Sequence, residues 1–272
     1  MMNQLQNRLT ITPIASSATH GRWRTEAMRS HSSARLMFIS SGQGRITIAG
    51  LTRGYGPNNL IFIPPNNMYG YEIGPTVFGQ MLTIPKAMAI EWPSIPTHVR
   101  IRDVVAQNEL GALMDVLERE LKSDLPNAAR AAHYQLGLLS IYFERQRDLQ
   151  DVETHGAPSD TPSARLVAAY TGLIEQHFRE HLGVANYAAK LGITPSHLTR
   201  CCKETCSKSA LNLLNDRILF DARLRLRDTK IPVNQIAQDL GYSSAAYFTR
   251  AFQAETGLTP SQFRKKGPLA VV

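Results

Sequence analysis

Cysteine is nearly missing from the 272-residue chain: the only three, Cys201, Cys202 and Cys206, fall in one short stretch. An odd, clustered set does not make the disulfide framework of a small secreted protein. Three thiols with His197 nearby also fall short of the two separated ligand pairs that structural zinc uses. The expectation is small buried side chains and no metal. Long apolar runs are absent too, since none approaches the roughly 18 residues that cross a bilayer, so no membrane partner is expected. Met1 to Thr10 lacks a basic start followed by an apolar stretch, which argues against a signal peptide and for the cytoplasm. Clustered metal ligands are also lacking. His20, His31 and His98 are scattered, with no carboxylate beside them. A metal-dependent enzyme built on a β-roll is thereby disfavoured, and neither catalytic residues nor a cofactor are expected.

What is present suits a soluble protein of two domains, with 43% hydrophobic and 19% charged residues. The net charge of +8 is uneven: from Ser163 onward there are 15 Lys and Arg against 8 Asp and Glu, and before it 15 against 14. One half is near neutral and the other basic, as expected where only the second meets a polyanion.

The patterning divides at the same place. Up to about residue 103, short apolar runs are punctuated by turn residues: Arg35–Ile39 before Gly42 and Gly44, Arg45–Ile48 before Gly50, Leu60–Ile63 before Pro64-Pro65, and Val77–Ile84 before Pro85. This spacing predicts an antiparallel sandwich or barrel. From Val104 the apolar residues recur at three- and four-residue steps, giving helices over 104–122 and 126–147, with Pro126 near the second start. These form a connector over 104–147 suited to dimerisation or to covering the sheet. Residues 148–162 turn polar, with Gly156, Pro158 and Pro162, and read as a linker. The stretch 163–266 reads as all helix.

In this last stretch one design occurs twice. Val184–Leu191, Gly192–Thr194 and Pro195–Glu204 are matched by Val233–Leu240, Gly241–Ser243 and Ser244–Glu255. Each is a helix, a glycine turn and a second helix, with Thr194 and Ser243 or Ser244 placed to cap the second. Ala188, Leu191, Leu198 and Cys202, and Ile236, Ala237, Leu240, Phe248 and Phe252, suit the two cores. The other faces offer Ser196, Thr199 and Arg200, and Ala245, Thr249 and Arg250. Arginine on such a face can pair with guanine and threonine can meet a base or a thymine methyl. Leu211–Arg227 is long enough to hold the two units rigidly apart.

The residues Gly241-Tyr242, Tyr247-Phe248, Arg250, Phe252, Gly257, Thr259-Pro260 and Phe263-Arg264, with Asn215–Ala222 before them, resemble the AraC/XylS family of transcription regulators. The resemblance covers about the last hundred residues. It implies an α+β multidomain protein: a β-roll of cupin type over 1–103, two connector helices, and two helix-turn-helix units on a long helix that enter adjacent major grooves of double-stranded DNA. It also implies base contacts from Ser196, Thr199, Arg200, Ala245, Ala246, Thr249 and Arg250, a small-molecule effector, a homodimer, and an activator working with RNA polymerase. The first unit departs from the pattern, with Cys201-Cys202 in place of larger apolar residues and Cys206 where a glycine usually ends the helix.

The N-terminal half resembles the family's effector-binding roll more loosely, through Gly42–Gly44, Gly54–Pro57 and Leu60–Pro65. Candidate effector residues are Trp23, Arg24, Arg35, Arg45, Tyr55, Tyr69 and Tyr71, since arginine clamps carboxylates and aromatic rings pack a ring or sugar face. An aromatic acid is the effector this suggests. Two rivals stay open: a β-roll enzyme with a helical accessory domain, and a binder of nucleic acid without sequence preference.

Overall fold

Five strands alternate so regularly that both faces of the sheet they form are covered. A computed structural model describes residues 8–15, 23–89, 91–153 and 161–265. Strands β1 (Thr10–Pro13), β2 (Ala34–Ser41), β5 (Asn59–Ile63), β7 (Phe78–Ile84) and β8 (Thr97–Arg100) make one antiparallel sheet in the order β1-β7-β2-β5-β8. Strands β3 (Gly44–Ile48), β4 (Leu51–Tyr55) and β6 (Tyr69–Tyr71) make a second, in the order β4-β3-β6. Because successive side chains point to opposite faces, Met37, Ile61 and Ile63 enter the space between the sheets while Leu36, Leu60 and Phe62 point outward. The outward set would sit in water but for two helices, α2 (Val104–Lys122) and α3 (Ala128–Glu153), which cover it with Leu110, Met114, Leu136 and Phe143. This explains why β5 is buried along its whole length.

The connector therefore lies on the sheet. Its second helix also runs further than the sequence suggested, to Glu153, so the start of the expected 148–162 linker is helical. Hydrogen bonds between Gln150 and the backbone of His98 and Arg100 hold this extra turn and a half against β8. Residues 154–160 of that linker lie outside the described residues, as does His20.

The rest is helical: α4 (Pro162–His177), α5 (Val184–Lys190), α6 (Pro195–Cys206), α7 (Ala210–Asp228), α8 (Val233–Asp239), α9 (Ala245–Thr256) and α10 (Pro260–Lys265). Thr161 starts this part by accepting a hydrogen bond from the Ala164 amide, with Pro162 at the first helical position. The helical core is not closed by its own residues alone, because Met28 and Met68 of the β-roll belong to the same buried cluster. A short helix α1 (Trp23–Glu26) begins the strap responsible. Trp23 stands 5.8 Å from Phe220 and 6.0 Å from Phe263, and Arg24 pairs with Asp228 at 3.1 Å. The guanidinium of Arg29, buried, donates to the Thr25 carbonyl and lies 4.4 Å from the Tyr69 ring centre. On another side Gly50, at φ +74°, meets α4 so closely that a Cβ there would stand 2.2 Å from Val167.

Candidate nucleic-acid interface

Both expected helix-turn-helix units are present, and the local chemistry that forms them is the one their sequence implies. Gly192 and Gly241 end the first helices with φ of +69° and +75°, a left-handed backbone that side chains resist. Thr194 and Ser244 then cap α6 and α9, accepting from the amides of His197 and Tyr247 at 3.2 Å each. Of the two serines offered by the sequence, Ser244 is the cap. Leu198, Cys201 and Cys202 bury one face of α6, while Phe248 and Phe252 bury one face of α9. All three thiols are free and buried, and burial pushes Cys202 up to about 12. Among the described residues no group of histidine, cysteine and carboxylate side chains could hold a metal.

One assignment shifts by a residue. The left-handed end of α6 is Ser207, at φ +57°, and Gly257 occupies the matching place after α9 at φ +72°. Cys206 is the last helical residue, turned inward, its thiol donating to the Cys202 carbonyl.

The outward faces carry the expected residues unevenly. Ser196, Arg200, Ala246 and Arg250 are exposed, and Thr199, Ala245 and Thr249 are half-buried. Ala245 packs against the core, and the Thr249 hydroxyl donates to the Ala245 carbonyl at 2.8 Å, so only its oxygen lone pairs and methyl group are presented. Lys203, one turn beyond Arg200, shares a concave surface with Ser196, Thr199 and Leu211 that sequence reasoning did not pick out. Neither did it pick out Tyr247, half exposed beside Ala246. Both follow from helical spacing, since residues three or four apart share a face.

Arg200 and Arg250 form no ion pair among the described residues. Two arginines of α7 contrast with them. Arg217, which is 5% exposed, forms a bidentate pair with Glu175 of α4 at 2.7 and 3.1 Å and lies 3.9 Å from the Phe178 ring centre. Arg225 joins Asp221 at 2.7 Å and Asp239 of α8 at 2.6 Å. Arg264 donates to the carbonyls of Leu226 and Ile231. Charged hydrogen bonds of this buried kind hold groups in fixed geometry, so α7 ties the two units into one frame.

The seven candidate effector residues do not share a pocket. Tyr55, Tyr69 and Tyr71 fill the space between the sheets, with the Tyr55 hydroxyl donating to the Glu72 carbonyl. Arg45, on the outer face, forms a bidentate pair with Glu72 at 3.2 and 2.8 Å and shares an open polar groove with Tyr71, Glu26 and Lys208. Arg35 donates to Ser33, and Trp23 and Arg24 belong to the strap. A cleft of about 320 Å³ lies elsewhere, where the β4 edge of one sheet faces the β8 edge of the other under α4. Ile46, Ile48, Leu51, Arg53 and His98 line it from the roll, and Ala164, Arg165 and Ala168 line it from α4. His98 Nε2 lies 2.6 Å from Asn59 Oδ1, an atom that can only accept, so this nitrogen carries the proton. Burial, then Arg53, lowers the His98 pKa to about 4, and the ring is neutral near pH 7.

Residues 13–139 match the description of an AraC-like ligand binding domain, and residues 187–266 that of a helix-turn-helix domain. The arabinose operon regulatory protein of Salmonella typhimurium is 24% identical over 216 residues, covering 76% of this chain and 75% of the relative. That of Escherichia coli is 23% identical over 228 residues, covering 82% and 77%. Among solved structures, ToxT from Vibrio cholerae is 12% identical at a TM-score of 0.45, covering 94% of this chain and 96% of ToxT. No helix among the described residues is long and apolar enough to cross a membrane.

Proposed function

The chain belongs to the AraC family of transcription regulators, and from that premise we propose that it is an effector-controlled activator that reads two adjacent blocks of double-stranded DNA with α6 and α9. The observation that carries this reading is the unequal use of arginine. Arg217 and Arg225 of α7 are consumed in internal pairs, whereas Arg200 and Arg250 stand exposed, with no ion pair among the described residues, at equivalent places on two capped helices. A bidentate arginine–guanine pair discriminates by about 1–3 kcal/mol. Ser196, Thr199, Ala246 and Thr249 complete the base-facing set, with Lys203 on phosphate, and half-buried Ala245 limits how closely α9 approaches.

The full chain is the form to test, because Met28 and Met68 complete the core of the DNA-reading part. Genomic-fragment selection at near-physiological salt is expected to enrich one motif of two blocks about a helical turn apart. Arg250→Ala and Arg200→Ala should each relax preference at one position, in different blocks. Equal weakening on every sequence would instead mark a binder without sequence preference.

A homodimer fits the connector. Tyr134, Leu138 and Ile141 follow one another on one side of α3, exposed by 66%, 53% and 46%. Analytical ultracentrifugation of a Leu138→Glu variant against the parent checks this, with a shift toward monomer expected. A reporter gene behind the selected motif, transcribed by the host RNA polymerase, tests activation.

A further inference from the structure

The cleft between the two sheet edges has the chemistry of a ligand site, and of the two guanidiniums that line it, Arg53 and Arg165, the first has no described carboxylate partner. Arg53 stands on the inner face of β4, since it is the register partner of Ile46, which enters the core between the sheets. It is exposed at the mouth of the cleft, and no described carboxylate pairs with it. A carboxylate seated there would meet two parallel donors, and an apolar body beside it would shield the pair from water and strengthen it. The remaining lining is mainly apolar: Ile46, Ile48, Leu51 and Ile95, with Ala164, Arg165 and Ala168 opposite. Neutral His98 has its Nε2 proton committed to Asn59, so it adds no further positive charge to the two arginines near pH 7. A volume of about 320 Å³ is at the small end of ligand pockets.

We infer that this cleft binds a small organic acid, its carboxylate on Arg53 and its apolar body between the β3–β4 hairpin and α4. The inference rests on the reading of the chain as an effector-controlled regulator. It goes further in placing the effector at the joint, where one wall is the roll and the other is the first helix of the DNA-reading part. Occupancy then acts on the reader by direct contact, because the same hairpin presses Gly50 onto Val167 of α4.

The test is calorimetric titration of the full chain with octanoate and with cyclohexanecarboxylate, each beside its neutral amide. One acid is expected to saturate a single site at least tenfold more tightly than its amide. Arg53→Gln should remove that tenfold preference while leaving amide binding alone. Ala168→Phe, at an exposed position on α4, should block acid and amide together without touching the guanidinium. Equal binding of acid and amide, no saturable binding of either acid, or binding that neither variant changes overturns the inference. Sequence-selective DNA binding in a protein that ignores these acids would sink the site and leave the regulator standing. Acid binding without sequence selection would do the reverse.

Discussion

The two helix-turn-helix units share a backbone and differ in what fills them. In the second, the contacts are aromatic: Tyr242 against Phe248 at 5.1 Å, Phe248 against Phe252 at 5.7 Å, and Phe252 against Phe263 at 5.4 Å. In the first, α6 contributes Leu198 and three thiols, and the bulk comes from α4 and α5, where Tyr170 and Tyr187 meet edge to face at 5.6 Å. The same turn and cap chemistry thus fixes the geometry of both, while volume is drawn from the unit itself in one case and from its neighbours in the other. The turns differ as well. A Cβ at Gly192 would meet nothing within 4 Å, whereas at Gly241 it would stand 2.4 Å from the Arg179 carbonyl oxygen.

Three pairs of substitutions sharpen that contrast. Phe252→Ala should cost about 3–5 kcal/mol by emptying a fully buried site. Cys202→Ala, which removes one sulfur, should cost about 1 kcal/mol. Urea unfolding measures both, and equal losses would mean that the thiols carry as much packing as the rings. Gly241→Ala should be the worse of the two turn changes, by roughly 1–3 kcal/mol of overpacking added to the roughly 1–2 kcal/mol of left-handed strain that it shares with Gly192→Ala. Thermal melts of the pair decide whether the close approach to Arg179 is rigid or yields. The smallest effect is expected at Ser207→Gly, which should stabilise by about 0.5–1 kcal/mol by relieving a left-handed serine. Gly257→Ser should lose about as much, and a loss at both sites would break the equivalence of the two helix ends.

Much of the DNA-reading part was legible because its signature residues make the fold. Tyr242, Phe248, Phe252 and Phe263 are core or rim of core, Gly241 and Gly257 are turns, and Arg264 binds backbone carbonyls. Residues that build a small motif act on near neighbours, and their spacing records it. The roll was legible as strands but not as a site. Its cleft joins segments near residues 46–53, 95–98 and 164–168, which no local pattern connects. Arg45 and Arg53 show the difficulty. Both sit in one hairpin, but Arg45 pairs with Gly54 and faces outward to Glu72, while Arg53 pairs with Ile46 and lines the open cleft. An alternating reading of β4 that placed Tyr55 inside would have placed Arg53 on the same face. The inward turn of Cys206, and the passing of the helix end to Ser207, hung on a one-residue offset between the repeats.

The shared cluster around Met28 and Met68 bears on how freely such a regulator can be recombined. A graft of this reader onto the sensing half of a relative would bring Val167, Phe220 and Phe263 without the methionines and the tryptophan that meet them. The recipient would inherit a hole and an Asp228 without Arg24 in place of a seam. Exchange of sensing halves in this lineage is therefore constrained to travel with the 23–29 strap and the Gly50 hairpin, so that the unit of inheritance is larger than the domain.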